Sequence, residues 1–164
     1  MKKQQITKIG LLCIKNNKLL VVYKTKIGLW ITPGGKSYPG ETDIECLKRE
    51  INEEINCKIK NINYFDSFRG YTEKGEPLLL KCYLGEVECN IKLNPNDTIR
   101  DYRWIRYNNY KKEKISIAPI LKNQIIPKLN RGSGVVTEWF RYWSAKPGTQ
   151  VRFLPAPFKI YKGE

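Results

Sequence analysis

One helical segment with two different faces dominates this sequence. Over residues 43–55 the apolar side chains recur three and four positions apart, at Ile44, Leu47, Ile51 and Ile55. This spacing predicts a helix that packs one stripe against the core of a domain. Glu50, Glu53 and Glu54 share a second stripe, turned from the first by about a quarter turn or slightly more. The segment therefore predicts a helix with one packing face and one face that presents carboxylates.

Strand patterns lie on both sides of this helix. Runs of β-branched and aromatic residues predict strands over residues 6–14, 18–23, 28–35, 58–71, 77–87 and 102–107. Residues 15–17, Lys-Asn-Asn, predict a tight turn because asparagine tolerates a positive φ. A second helix is predicted over residues 118–129, with Pro119 in its first turn and Pro127 bending its end. This order of elements predicts an α/β sandwich with a mixed β-sheet.

The composition excludes several kinds of chemistry. The 164 residues contain no histidine, which excludes histidine-dependent triads and histidine-ligated metals. The cysteines are scattered and odd in number, so neither a disulfide scaffold nor a zinc site is expected; they are Cys13, Cys46, Cys57, Cys82 and Cys89. No stretch approaches the roughly 20 apolar residues of a membrane span, and residues 1–5 carry no signal-peptide core. We expect one cytoplasmic domain without a membrane partner.

The acidic face of the predicted helix indicates a bound cation. Glu53 and Glu54 lie in the last turn, where the helix dipole also disfavours anions. A hard divalent cation compensates such a cluster, and ligands that are all oxygen favour magnesium or manganese over zinc. The alternative is a solvated helix face on which the glutamates pair with lysines. The residues before the helix bear on this choice.

A glycine-rich loop precedes the helix and completes a defined spacing. The pattern is Gly35-x5-Glu41-x7-Arg49-Glu50-Ile51-x-Glu53-Glu54-x-Asn56-Cys57. This segment resembles the Nudix box at every specified position except the last two, where Asn56 replaces a glycine and Cys57 an aliphatic residue. Asparagine is the next best residue to glycine in a left-handed helix cap, so Asn56 is a mild departure.

The resemblance implies a fold, a cofactor and a reaction. Nudix hydrolases form an α/β/α sandwich, which we expect over residues 1–131. The box binds divalent metal, Mg²⁺ or Mn²⁺, on the diphosphate of a nucleoside diphosphate linked to another group. The metal neutralises phosphate charge and activates a water for in-line attack on phosphorus, and a glutamate near that water takes the proton.

The resemblance also implies roles for individual residues. Glu50, Glu53 and Glu54 match the metal-binding and base-assisting glutamates of the family. The carbonyl of Gly34 or Gly35 would be a further metal ligand. A buried pair that holds the loop against the helix is matched by Glu41 and Arg49, which therefore support catalysis.

The flanking residues are similar to the MutT-like branch, which hydrolyses (deoxy)nucleoside triphosphates to the monophosphate and pyrophosphate. The similarity lies in residues 30–36 and 39–41. Thr72 stands where pyrophosphatases of ADP-ribose, NADH and coenzyme A place a proline. Ile117, two residues before Pro119, stands where enzymes that read 8-oxoguanine place an asparagine, which argues against that specificity.

A further acidic residue is expected late in the chain. MutT enzymes that read oxidised guanine place a glutamate immediately before a tryptophan, but here Arg103 precedes Trp104. We therefore expect Asp101 to be the substitute, as an extra metal ligand or base. Asp97 is predicted to lie in a surface turn.

Cationic and aromatic side chains supply candidates for substrate binding. Lys24, Lys36 and Arg69, with Lys26, are candidates for phosphate contacts, against the alternative of a solvated surface. Stacking on a base is a candidate role for five aromatic residues, and the alternative for each is a place in the core. They are Trp30, Tyr64, Phe65, Phe68 and Tyr71.

The net charge leaves more than one partner open. A formal charge of +14 attracts polyanions, and the same value also arises from coding bias towards lysine. The leading hypothesis is a nucleotide pyrophosphohydrolase; the alternative is an enzyme that removes pyrophosphate from triphosphorylated RNA ends. A non-catalytic binding module is the third hypothesis, and the intact glutamates argue against it. The oligomeric state stays open, and a homodimer is one candidate.

Residues 132–164 differ in character from the rest of the chain. Ile, Asn and Lys give way there to Gly, Trp, Phe, Val and Pro, and no periodic element is predicted. Residues 134–157 can be back-translated into the stems and loops of a tRNA gene for cysteine, with an anticodon loop at residues 144–146 and a T-loop at 151–153. One hypothesis is therefore that this tail is translated tRNA-gene sequence. The alternative is a real C-terminal strand over residues 151–161.

Overall fold

Eight strands form two sheets in the computed structural model, which describes residues 3–132. In chain order the strands are β1 (Ile6–Leu12), β2 (Ile14–Lys15), β3 (Lys18–Lys24), β4 (Leu29–Ile31), β5 (Gly34–Lys36), β6 (Lys58–Tyr71), β7 (Pro77–Glu88) and β8 (Ile99–Ile105). The spatial order of the first sheet is β5-β1-β7-β6, with β1 parallel to β7 and the other pairs antiparallel. In the second sheet β3 pairs with β2, β4 and β8. The predicted mixed sheet is confirmed.

Helix α1 (Asp43–Ile55) has a defined start and a defined end. Thr42 caps its N-terminus by accepting a hydrogen bond from the Glu45 amide, while the Glu45 side chain accepts one from the Thr42 amide. Asn56 ends the helix in the left-handed conformation, at φ 54°. The prediction that Asn56 acts like the glycine it replaces is confirmed.

The second helical region contains an irregularity at its proline. A π-helical segment over Leu121–Ile125 leads into α2 (Ile126–Arg131), which holds Pro127 in its first turn. The Ile126 amide donates to the Leu121 carbonyl, five residues back, and Pro127 has no amide proton to continue an α-helical ladder. Proline therefore accounts for the wider turn. Before this region, a 3₁₀ helix over Tyr107–Glu113, which the sequence did not predict, follows β8.

The core has two parts, one on each side of the sheets. Alternate residues of β3 divide between them: Leu19 and Val21 pack with the C-terminal helical region, whereas Leu20 and Val22 pack with α1. Strand residues alternate in direction, so one strand serves both layers. The apolar stripe predicted for α1 holds, because Leu47, Ile51 and Ile55 are fully buried. The predicted α/β/α sandwich is confirmed.

Other predictions have mixed outcomes. Asn16 and Asn17 both adopt positive φ in the first hairpin, as predicted. The last strand begins at Ile99, three residues before its predicted start. None of the helices in residues 3–132 is long and apolar enough to cross a bilayer. Residues 133–164, nearly all of the predicted tail, lie outside the described residues, so its two interpretations stay predictions.

No disulfide scaffold was expected from the scattered cysteines, but one pair among residues 3–132 does form a disulfide. Cys57 and Cys89 form a disulfide, with their Cα atoms 5.4 Å apart. They are 32 positions apart in the sequence, with no spacing motif to identify them. The antiparallel register pairs Lys58 with Glu88, and this brings the two neighbouring cysteines together. The link ties the end of α1 to the end of β7.

Candidate active site

Two glycines bring β5 close to its neighbours. Gly34 has φ 140°, and a β-carbon there would lie 2.1 Å from the Ile9 carbonyl oxygen of β1. A β-carbon on Gly35 would lie 2.3 Å from Cδ of Glu50 on α1. Both distances are well inside van der Waals contact. At Gly34 the neighbour is backbone, so only glycine fits, whereas a side chain at Gly35 would require Glu50 to move. The loop before α1 therefore packs directly against the carboxyl group of Glu50.

Glu54 is buried beside the same loop. Its side chain is 6% exposed, and its Oε2 accepts a hydrogen bond of 3.0 Å from the Gly34 amide. Burial raises the pKa of Glu54 to about 8, although the hydrogen bond from Gly34 acts in the opposite direction. No lysine or arginine of residues 3–132 lies within ion-pairing distance of it. This buried carboxylate lacks a partner of opposite charge.

Arg49 holds the other carboxylates. Its Nε and Nη2 donate to both oxygens of Glu41 at 2.8 and 2.9 Å, and its Nη1 donates to Glu50 at 2.8 Å and Glu53 at 3.2 Å. Nη2 also donates to the Lys36 carbonyl in the loop. The hydrogen bonds from Arg49 lower the pKa of Glu41 to about 2. The structure brings Glu41 and Arg49 together as predicted, with side chains 13% and 19% exposed.

The three glutamates of α1 lie at different depths. Glu54 is buried, Glu50 has 17% of its side chain exposed, and Glu53 has 46% exposed. Within residues 3–132 no three acidic or cysteine side chains converge closely enough to hold a metal ion. The donors still suit a hard cation, because Glu54 is a buried carboxylate without a cation and the neighbouring donors are all oxygen. Arg49 is the cation that Glu50 and Glu53 contact in this arrangement.

A cleft of about 740 Å³ opens beside these residues. Glu50, Glu54, Gly34 and Gly35 line one part of it. An apolar part is lined by Leu29, Ile31, Leu78, Leu80, Ile120 and Leu121. A cleft of this size that combines charged groups with an apolar wall is typical of a small-molecule site. A second cavity of about 760 Å³, beside Cys89 and Trp104, contains none of the box residues.

The predicted phosphate contacts divide into two groups. Lys24 and Lys36 line the cleft. Arg69 does not: its guanidinium donates to Gln5, and its carbonyl accepts a hydrogen bond from Gln124. Lys26 is exposed and is also absent from the cleft lining.

Only one of the five aromatic residues predicted to stack on a base lines the cleft. Trp30 and Phe68 are each 6% exposed and belong to the core cluster, so neither ring is available to a ligand. The alternation of strand side chains turns both rings inward. Tyr71 lines the cleft and is 76% exposed, which leaves it as the available ring. Tyr64 and Phe65 lie elsewhere on β6.

The two aspartates exchange their predicted positions. Asp101 is exposed on β8, outside the cleft, and its carboxylate accepts a hydrogen bond from the Tyr102 amide. Asp97 lies in the predicted turn, but that turn forms part of the cleft wall. Its proximity contributes to the raised pKa of Glu54. Asp97 thus takes the place expected of Asp101, which lies within β8 with its side chain exposed.

Sequence reasoning missed other residues of the cleft. Lys8, Asn123 and Gln124 line it, and none stands in a recognisable motif. Lys8 lies on β1 directly opposite Lys36, and this register is visible only once the sheet is known. The one signal in the sequence was that Lys8 places a cationic side chain within the largely apolar strand β1.

Comparisons with known proteins agree with this arrangement. The sequence profile of the NUDIX domain matches residues 5–125. Over 70 residues the chain is 34% identical to the 8-oxo-dGTP diphosphatase of Buchnera aphidicola subsp. Schizaphis graminum (strain Sg). The aligned region covers 40% of this chain and 53% of that protein. The chain thus spans about half the length of this curated relative.

Solved structures share the fold at low identity. The MutT protein from Methanosarcina mazei Go1 superposes with a TM-score of 0.66 at 18% identity, over 81% of this chain and 98% of that one. The MutT NUDIX hydrolase from Burkholderia pseudomallei gives 0.59 at 19% identity, over 65% and 86%. At such identities these matches bear on the fold alone.

Proposed function

This chain belongs to the NUDIX domain family, and we propose on that premise that it is a hydrolase of nucleotide pyrophosphates that depends on Mg²⁺ or Mn²⁺. Its substrate would be a (deoxy)nucleoside triphosphate or another nucleoside diphosphate derivative, and a product would be the monophosphate. One observation carries the proposal: the buried Glu54 carboxylate, held by the Gly34 amide, lies in a cleft with Glu50 and has no cationic partner among residues 3–132. A divalent cation supplies the missing charge.

The residues of the helix and loop have distinct tasks in this proposal. Glu50, Glu53 and Glu54 would hold the metal, and the carbonyl oxygen of Gly34 or Gly35 would add a ligand. When bound, the metal would neutralise phosphate charge and lower the pKa of a coordinated water. One carboxylate of the same group accepts the proton of the attacking water.

The ion pair beside the site has a positioning role. Arg49 binds Glu41 with two hydrogen bonds and the loop carbonyl of Lys36 with a third. These contacts fix the distance between the loop and α1, which sets the positions of the glycines relative to Glu50. We therefore assign Arg49 and Glu41 to support of the catalytic group.

Release of pyrophosphate tests the proposal. The assay compares a panel of free nucleoside triphosphates, including 8-oxo-dGTP, with and without Mg²⁺ or Mn²⁺ and with EDTA as a control. We expect metal-dependent formation of monophosphate and pyrophosphate. The absence of hydrolysis across the panel, in a folded protein with saturating metal, contradicts the proposal.

The panel also addresses the choice of base. The curated relative is an 8-oxo-dGTP diphosphatase, which favours that nucleotide as a substrate here. Ile117, which precedes the cleft residues Ala118 and Pro119, argues in the other direction because it offers no hydrogen bond to a purine edge. A preference for 8-oxo-dGTP over dGTP in kcat/KM decides between the two.

A second candidate substrate is the 5′ end of triphosphorylated RNA. The net charge of +14 favours it, since a basic surface binds the phosphates of a polynucleotide. A short triphosphorylated RNA in the same assay distinguishes it from free nucleotides. Faster turnover of the RNA end, with a steep loss of affinity as salt rises, favours this candidate.

A further inference from the structure

Three lysines from three strands share the cleft. Lys8 of β1, Lys24 of β3 and Lys36 of β5 all line it, together with the glutamates of α1. The family box includes none of these lysines among its specified positions. Lys8 and Lys36 meet because β5 pairs with β1 in one sheet, and Lys24 reaches the same cleft from the end of β3 in the other sheet.

Lys8 and Lys36 form a cross-strand pair of like charge. They lie directly opposite each other in the antiparallel β1–β5 ladder, so their side chains leave the same face of the sheet. Like charges in this position destabilise a sheet. Lys8 is half-buried, and burial and then the nearby Lys24 ammonium lower its pKa.

No carboxylate of residues 3–132 pairs with these ammonium groups. Within the described part of the chain, none of the three lysines lies within ion-pairing distance of a carboxylate. Glu73, Glu76 and Glu50 are near enough to raise the pKa of Lys8, but they form no ion pair with it. A bound anion would remove the repulsion among the three cations.

We propose that Lys8, together with Lys24 and Lys36, binds the phosphate chain of the substrate and selects a triphosphate over a diphosphate joined to a neutral group. This rests on the proposed function, since it assigns the substrate class of that same cleft. A terminal phosphate carries more negative charge than a phosphate esterified to a sugar. Lys8 is assigned the discrimination because its half-buried ammonium lies opposite Lys36 in the sheet and has no carboxylate within ion-pairing distance among residues 3–132.

Kinetics on two substrates of one base test this selection. GTP and GDP-mannose are compared in wild type, Lys8→Gln, Lys8→Arg and the control Lys58→Gln, an exposed lysine of β6 outside the cleft. For Lys8→Gln we expect KM for GTP to rise about tenfold, a change of about 1.4 kcal/mol, with kcat within threefold. KM for GDP-mannose should change less than threefold. Lys8→Arg should restore most of the affinity for GTP.

The melting temperature of Lys8→Gln distinguishes a role of Lys8 in binding from a role in stabilising the fold. Removal of a half-buried cation from a like-charge pair should leave the melting temperature of Lys8→Gln equal to or above that of wild type without ligand. A lower melting temperature together with weaker binding of both substrates would mean that Lys8 supports the fold. An equal loss of affinity for GTP and GDP-mannose, or no loss, overturns the proposal.

A binding measurement separates this proposal from the proposed function. Inorganic tripolyphosphate and orthophosphate are titrated into wild type and Lys8→Gln by calorimetry. We expect tripolyphosphate to bind wild type at least tenfold more tightly than it binds Lys8→Gln, whether or not any nucleotide is hydrolysed. If nucleotides are hydrolysed but tripolyphosphate binds both proteins equally, the selection by Lys8 is wrong and the proposed function stands.

Discussion

The carboxyl group of Glu50 lies directly over Gly35, where a β-carbon would approach its Cδ to 2.3 Å. Gly35→Ala should therefore displace Glu50 from the cleft while leaving its charge in the protein. We expect kcat to fall at least about tenfold under saturating Mg²⁺, because a small displacement of a metal-binding group is costly to catalysis. Steady-state pyrophosphate release measures it.

Gly40→Ala is the matched control for this substitution. A β-carbon at Gly40 meets no atom within 4 Å, although φ there is 80°. This change should reduce stability by about 1 kcal/mol through backbone strain and leave kcat unchanged. Wild-type kcat in Gly35→Ala would mean that Glu50 does not act from its observed position.

Glu53→Gln and Glu54→Gln should each reduce turnover by at least about 100-fold with the fold intact. Each change removes one charge from the proposed metal group and preserves the shape of the side chain. Glutamine at position 54 still accepts the hydrogen bond from the Gly34 amide, and it cannot ionise in this buried position, so stability without metal should not fall. Glu88→Gln, an exposed control on β7, should keep wild-type turnover. Near wild-type turnover in either box variant with saturating Mg²⁺ refutes the site assignment.

The ion pair between Glu41 and Arg49 should make stability depend on acidic pH. Arg49 lowers the pKa of Glu41 from its ordinary value of 4.5 to about 2 in the folded protein. The stability from this pair is therefore fully present above about pH 4.5 and is lost as the pH falls towards 2. Melting temperatures of wild type and Glu41→Gln should converge over this interval. Parallel profiles would show that the pair contributes no pH-dependent stability.

The disulfide between Cys57 and Cys89 should stabilise the domain without taking part in catalysis. It closes a loop between residues 32 positions apart, for which the chain-entropy estimate is about 3–4 kcal/mol. Reduction, or Cys89→Ser, should lower the melting temperature and leave kcat at 25 °C within about twofold. Cys82→Ser, at a buried free cysteine, is a control for the loss of a thiol. An unchanged melting temperature after reduction contradicts the stabilising role.

Features of this protein that depend on neighbouring residues could be predicted from the sequence, whereas features that depend on strand pairing could not. The stripe Leu47, Ile51 and Ile55 and the left-handed Asn56 follow from helix periodicity and cap geometry, which depend on neighbouring residues only. The pairing of Lys8 with Lys36 depends on strand register, and the Cys57–Cys89 link depends on the pairing of β6 with β7. Both are non-local, so a single sequence does not reveal them.

The distinction between local and non-local interactions also explains why some predicted substrate-binding residues lie outside the cleft. Trp30 and Phe68 carry aromatic rings suited to stacking, but which face of a strand lies inward is decided by the packing of the other layers. The exchange of Asp101 for Asp97 has a similar origin, since the packing of the turn before β8 against the cleft is not visible in the sequence.

Removal of the C-terminal residues should leave catalysis intact. A chain that stops after Arg131 keeps the whole box, every strand of residues 3–132 and all residues of α2. It loses the hydrogen bond from the Gly132 amide to the Lys128 carbonyl, which closes the last turn of that helix. The removed part is rich in aromatics, among them Trp139, Phe140, Trp143, Phe153 and Phe158. Proteins rarely leave such groups in water, so we expect a modest loss of stability and kcat within about twofold of the full chain. Thermal melts and pyrophosphate release on both proteins measure these values. Loss of activity in a truncated domain that stays folded would show that residues beyond 131 help to build the substrate site.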